Sequence, residues 1–183
     1  MKIKLIPAVL FLCFLSSCKI DKKEETTDVK PQAETPKLLD SKVKLTFDMV
    51  VPKDDLFQVY YTLDGTPNCN EDQSAKTVVK GSPVSQKIVF YFPEDVAITY
   101  LRFDPGENKD QGTMKVNSFT YEYFGKKMEA SGSDFFNYFG GPTEQIIVDA
   151  KLGTITPSGK GERYDPVLYQ QPQVSEKLIE ILK

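Results

Sequence analysis

The chain has 183 residues, a hydrophobic fraction of 40%, and 23 Lys and Arg against 26 Asp and Glu, for a formal charge of −3. That length gives one domain with flanking segments, and the mildly acidic balance argues against nucleic acid as a partner. With no histidine and only three cysteines, Ser-His-Asp and Cys-His nucleophilic systems, histidine metal sites and structural zinc sites are excluded.

In chain order, Lys2 and Lys4 precede an apolar run from Leu5 to Leu15, and the small residues Ser16 and Ser17 come before Cys18. This is the layout of a secretory signal, residues 1–17, and its apolar run falls short of the ~20 residues that span a bilayer as a helix. Leu15-Ser16-Ser17-Cys18 resembles the bacterial lipobox. The resemblance implies cleavage just before Cys18 and acylation of its thiol; an ordinary secretory signal that contains a cysteine is the plainer alternative. Two or three acyl chains on Cys18 would anchor the protein stably, since each buried methylene contributes roughly 0.8 kcal/mol.

Residues 18–41 carry this cysteine and the tract "KIDKKEETTDVKPQAETPKLLDS". Rich in charge, Thr and Pro and without apolar periodicity, the tract reads as a flexible tether. Within it, Lys22-Lys23-Glu24-Glu25 is similar to the lysine-then-acid signals that send some bacterial lipoproteins to the outside of the outer membrane. The expected location is therefore the outer membrane, held by lipid, at the cell surface or on the periplasmic face. Cys13 leaves with the signal, so Cys69 is the remaining thiol and has no partner for an intramolecular disulfide. It stands in the polar run "TPNCNEDQS", which reads as a solvated loop; an intermolecular bridge or a reactive thiol is the alternative.

From residue 42 to 173 the pattern turns to period-two alternation. Val43, Leu45, Phe47 and Met49 share one side of a strand, as do Phe57, Val59, Tyr61 and Leu63, then Ile88, Phe90 and Phe92, then Leu101 and Phe103. Met114 and Val116 are followed in the opposite phase by Phe119, Tyr121 and Tyr123, so a bulge at Asn117 and Ser118 is expected. Shorter strands are expected at 76–79, 145–148 and 166–169. Turn residues such as Asp64-Gly65, Gly81-Ser82-Pro83, Asp104-Pro105-Gly106 and Gly125 separate the runs. Seven or eight short half-buried strands predict a mainly β fold, a single antiparallel β-sandwich of jelly-roll-like form with one or two short helices. One helix falls on "SDFFNYF", with Ser133 as N-cap and its aromatic residues capping an open end of the sandwich or forming an exposed docking knob. The other is a short C-terminal helix over 174–183, with Ser175 as N-cap and Val174 as staple.

Tyr100-Leu101-Arg102-Phe103-Asp104-Pro105-Gly106, followed by Met114-Lys115-Val116-Asn117-Ser118-Phe119, resembles a strand-turn-strand pattern of jelly-roll-like accessory β-sandwiches in bacterial polysaccharide-related proteins. Tyr164-Asp165-Pro166-Val167-Leu168 looks like the late Asp-Pro strand of the same family. The resemblance implies a fold of the carbohydrate-binding type. Arg102 and Asp104 lie two apart in one strand, so they share a face and serve either as a structural pair near a sheet edge or as contacts to a polar ligand. Without tryptophan, a sugar-stacking platform would need tyrosine, and Tyr60, Tyr91, Tyr100 and Tyr123 are the candidates. The alternative for these four is packing at the flank of the core. Acidic turns at Asp104, Glu107, Asn108 and Asp110, and at Asn68, Asn70, Glu71 and Asp72, lack EF-hand spacing and read as solvated turns rather than calcium sites.

No carboxylate pair stands in a catalytic frame, and Gly-Gly-Pro and Gly-Lys-Gly lack Walker or dinucleotide spacing. The expectation is a non-enzymatic, lipid-anchored envelope protein, without metal or cofactor, that binds a glycan or another envelope component. The alternative is a structural or assembly lipoprotein that docks onto a protein partner.

Overall fold

In the computed structural model the described residues are 40–141, 144–160 and 163–183. The signal segment, Cys18 and the tether up to residue 39 lie outside them. Alternating burial fixes the first strand, β1 (Lys42–Val51), in which Val43, Leu45, Phe47, Met49 and Val51 are all fully buried and the residues between them face outward. The chain continues through β2 (Asp55–Thr62), β3 (Ser74–Val79), β4 (Ser82–Glu94), β5 (Tyr100–Asp104), β6 (Met114–Tyr123) and β7 (Lys126–Ser131). Helix α1 (Gly132–Tyr138) follows, then β8 (Phe139–Gly140), β9 (Ile146–Asp149), β10 (Thr154–Pro157), β11 (Leu168–Gln170) and α2 (Pro172–Leu182).

These strands form two antiparallel sheets. The first has the order β4-β1-β6-β10-β9, with β7 also on β6, and the second has the order β3-β2-β5-β11-β8. The chain crosses between sheets at β1–β2, β3–β4, β4–β5, β5–β6, β7–β8, β8–β9 and β10–β11, as expected of a jelly-roll-like sandwich. The tight β3–β4 crossover closes one side, where the Thr77 hydroxyl donates to the Val89 carbonyl at 3.0 Å. On the other side α1 carries the chain from β7 of the first sheet to β8 of the second.

The expected bulge is present. β6 pairs with β1 at Asp48–Ser118 and then at Met49–Val116, leaving Asn117 without a partner position, so that Val116 and Phe119 both point inward despite the change of phase. At the centre of the core the Phe47 ring is 4.4 Å from Phe103, 5.1 Å from Phe119, 5.8 Å from Phe90 and 6.0 Å from Phe135. Phe135 comes from α1 and reaches between the sheets, so the aromatic segment caps the sandwich from within. Phe135 and Phe139 are both buried, which removes the exposed apolar knob.

Both helix starts differ from the sequence expectation. α1 begins at Gly132 with Ser131 at the N-cap, whose hydroxyl donates to Asp134 rather than accepting from the helix backbone. α2 begins at Pro172 after Gln171, because proline supplies the fixed φ of a first helical turn; Ser175 sits one turn inside, accepting from the Gln170 amide, and Val174 is buried. The short strands β7, β8 and β10 were not foreseen. No helix among the described residues is long and apolar enough to cross a membrane.

Candidate functional site

β1 carries the chain away from Asp40, and the turn at Pro52–Asp54 delivers it to β2 at the far end of the sandwich. β5 runs back beside β2 in the register Thr62–Tyr100, Tyr60–Arg102 and Gln58–Asp104, and β11 sets Tyr169 opposite Arg102. The inward residues of these strands, Phe57, Val59, Leu101 and Phe103, belong to the core. Their neighbours therefore form the outer face of the second sheet, where Gln58, Tyr60, Tyr100, Arg102, Asp104 and Tyr169 come together.

Arg102 and Asp104 do pair. Nε donates to Oδ1 at 2.8 Å and Nη2 to Oδ2 at 2.6 Å, a two-pronged contact with the side chains 21% and 13% exposed. They sit on a central strand rather than near a sheet edge, since β5 lies between β2 and β11. The guanidinium also lies 4.5 Å from the centroid of the Tyr60 ring. Tyr60 is thereby a brace for Arg102 on one face rather than a bare platform. Burial pushes the Asp104 carboxyl above its usual range, against the downward pull of Arg102.

The loop between β2 and β3 folds over this face. Its Glu71 carboxylate accepts from the Tyr60 hydroxyl at 2.7 Å, from Gln58 Nε2 at 3.3 Å and from Lys76 at 2.5 Å. These bonds, Lys76 foremost, hold the Glu71 carboxyl down at about 2. Burial and then the Glu71 carboxylate push the Tyr60 hydroxyl up to about 12. Cys69, in the same loop, is half-buried rather than solvated, and burial pushes its thiol up. Burial likewise pushes the Tyr100 hydroxyl up, with the Cys69 thiol adding to it.

A cleft of about 190 Å³ opens beside these groups, lined by Gln58, Tyr60, Glu71, Lys76 and Asp104 and closed by Gly106, Glu107, Arg163 and Asp165. The turn after β5 shapes its rim through Asp55. That carboxylate's Oδ1 accepts the backbone N–H groups of Leu56, Glu107 and Asn108 at 2.9, 2.7 and 3.1 Å, and its Oδ2 accepts from Gln111 Nε2 at 2.7 Å. Gly106 is required here, for it holds φ at +99° and a Cβ would overlap the Asp55 carboxylate.

Of the sequence candidates, Tyr60, Tyr100, Arg102 and Asp104 share this face. Tyr91 and Tyr123 do not. Tyr91 lies on β4, exposed on the opposite sheet, and Tyr123 ends β6 in that same sheet, packed on the core and 4.7 Å from the Phe124 ring. Period-two alternation gives the side of a strand but not the sheet it joins. Gln58, Lys76 and Tyr169 were not singled out, and Glu71 was taken for a solvated turn residue. The two acidic turns do not gather their oxygens: Asn108 accepts from the Asp110 N–H, Asn70 from the Gln73 N–H, and Asp104 faces Arg102. No group of three His, Cys, Asp or Glu side chains among the described residues is placed to hold a metal ion.

Comparison with family models, with curated proteins and with solved structures gives no match.

Proposed function

We propose that this protein is a lipid-anchored component of the bacterial envelope, at the outer membrane, whose sandwich binds a glycan without catalysis through the cleft on the outer face of the second sheet. The observation that carries the reading is the convergence of Tyr60, Asp104, Gln58 and Glu71 in one small concavity, an aromatic ring and a set of fixed hydrogen-bonding groups, with Arg102 bracing Tyr60 and Asp104 from beside it. Sugar recognition needs this combination, since hydroxyls seek directed polar partners and the C–H face of the ring seeks an apolar wall. The carboxylates support binding rather than acid–base chemistry: Asp104 is chelated by Arg102, and Glu71 is held ionised by three partners. Docking onto a protein through the aromatic segment 134–139 has less support, because Phe135 and Phe139 face the core. The resemblance of Leu15-Ser16-Ser17-Cys18 to a lipobox supports the membrane attachment.

Calorimetric titration of the full chain in detergent micelles against envelope polysaccharides tests the binding role. Saturable heat that weakens about tenfold in Arg102→Ala supports it, and heat equal to dilution across the panel refutes it. Labelled palmitate incorporation should vanish in Cys18→Ala.

A further inference from the structure

We propose that the cleft accepts an uncharged, hydroxyl-rich sugar and turns away the acidic form of the same sugar. The proposal rests on the glycan-binding reading above. The residues that line the cleft include four carboxylates, Glu71, Asp104, Glu107 and Asp165, against two cations, Lys76 and Arg163. Arg102 is clasped by Asp104 and stacked on Tyr60, Lys76 is bound to Glu71 at 2.5 Å, and Arg163 lies 3.7 Å from Asp165. A fourth carboxylate, that of Glu107, has no cation within salt-bridge distance among the described residues, so acid exceeds base at the rim. An incoming carboxylate or sulfate would meet that excess at exposed rim groups, a repulsion that added salt weakens.

The hydrogen-bonding balance points the same way. Gln58 is 8% exposed and lines the cleft. Its Nε2 is spent on Glu71 and on the Ser74 hydroxyl at 2.9 Å, and its Oε1 takes no hydrogen bond among the described residues. That oxygen is a free acceptor at the cleft, and a ligand hydroxyl pointing at it would take the place of solvent. The Tyr60 hydroxyl donates to Glu71, and both oxygens of Asp104 face Arg102 while each keeps a further lone pair. Acceptors therefore remain beside Tyr60, and the donors left over, on Lys76 and Arg163, sit on exposed side chains. Sugar hydroxyls donate, whereas a carboxylate or sulfate cannot. The volume of about 190 Å³ is below the usual range for whole-ligand pockets, so the cleft takes one ring, such as the end unit of a chain.

The test uses matched pairs, methyl hexopyranosides against the corresponding methyl hexuronides, which differ only in having a CH2OH or a carboxylate at C6. Saturation-transfer NMR on the full chain in uncharged detergent micelles should show the neutral member binding and the uronide weaker by about tenfold or more at neutral pH, with the gap narrowing as salt is raised. Glu107→Lys, an exposed rim substitution, should narrow the gap as well. A uronide that binds as tightly as its neutral partner, or a ratio that Glu107→Lys leaves unchanged, would overturn the proposal. Binding of neither member in any pair would overturn the glycan reading itself and this inference with it, an outcome distinct from loss of selectivity alone.

Discussion

Replacing Gln111 by alanine should loosen the end of the sandwich that carries the cleft. The side chain is fully buried, although it lies in the loop between β5 and β6. Its Oε1 accepts the Lys53 N–H at 2.6 Å, and its Nε2 donates to the Lys53 carbonyl at 2.9 Å and to Asp55 Oδ2 at 2.7 Å. It thus ties the β5–β6 loop to the β1–β2 turn. Two neutral bonds at about 1 kcal/mol and one to a carboxylate at about 2 kcal/mol give about 4 kcal/mol. Lys53 is at the surface, so water replaces part of what is lost, and the expected cost is about 3 kcal/mol, or roughly 10 °C in Tm for a domain of this size. Urea unfolding followed by far-ultraviolet circular dichroism measures it, with an unchanged slope showing that the native and unfolded states stay comparable. Gln111→Glu keeps the length but loses both donors and sets a second carboxylate beside Asp55, so it should be destabilised at neutral pH and recover as the pH is lowered. A loss under about 1 kcal/mol in Gln111→Ala would refute the reasoning, because it would show that the two loops hold without the amide.

Tyr121 is fully buried and its hydroxyl has no hydrogen-bond partner among the described residues, so Tyr121→Phe should leave stability unchanged or raise it by about 1 kcal/mol in the same urea assay. Gly106→Ala should cost at least ~2 kcal/mol, since it combines a left-handed backbone with overlap on the Asp55 carboxylate. In Glu71→Gln, an absorbance titration should find the Tyr60 hydroxyl below its value of about 12 yet still above 10.0, because burial, the larger cause, remains. The folded Glu71 carboxyl is held below its ordinary 4.5, so its stabilising contribution is present above that pH and fades as pH falls toward about 2; acid unfolding of Glu71→Gln should be less steep across that window. Phe47→Ala, at the centre of the aromatic cluster, should cost about 4 kcal/mol and yield a cavity visible as a large drop in the urea midpoint.

The strands that were legible in the sequence are those with one buried and one solvated face. β1 shows it most clearly, and the phase change in β6 was enough to locate the bulge at Asn117. β7 has only Met128 and Ala130 to mark its inner face, β10 has Ile155, and β8 is two residues long, so their alternation is too brief to register. The Arg102–Asp104 pair could be read because it lies within one strand. Tyr60 comes opposite Arg102 only through the pairing of β2 with β5, and Glu71 reaches that face only because its loop folds back over the sheet. Both are long-range events that local pattern does not encode. The helix starts were misplaced for a related reason: serine favours N-caps on average, but Pro172 and the close packing of Phe135 decided where the turns begin.

The position of β1 has a mechanical consequence. Its ten residues are bonded on one side to β4 and on the other to β6, and it is the first strand of the sandwich in chain order. The cleft lies toward the other end of the sandwich. A pull applied along β1, from its first residue toward the end that carries the cleft, stresses both of its hydrogen-bond ladders in shear. The rungs then share the force at once and cannot open one after another. Rupture would require this strand to slide as a whole, dragging Phe47 through the aromatic cluster, so the domain is built to resist tension along β1.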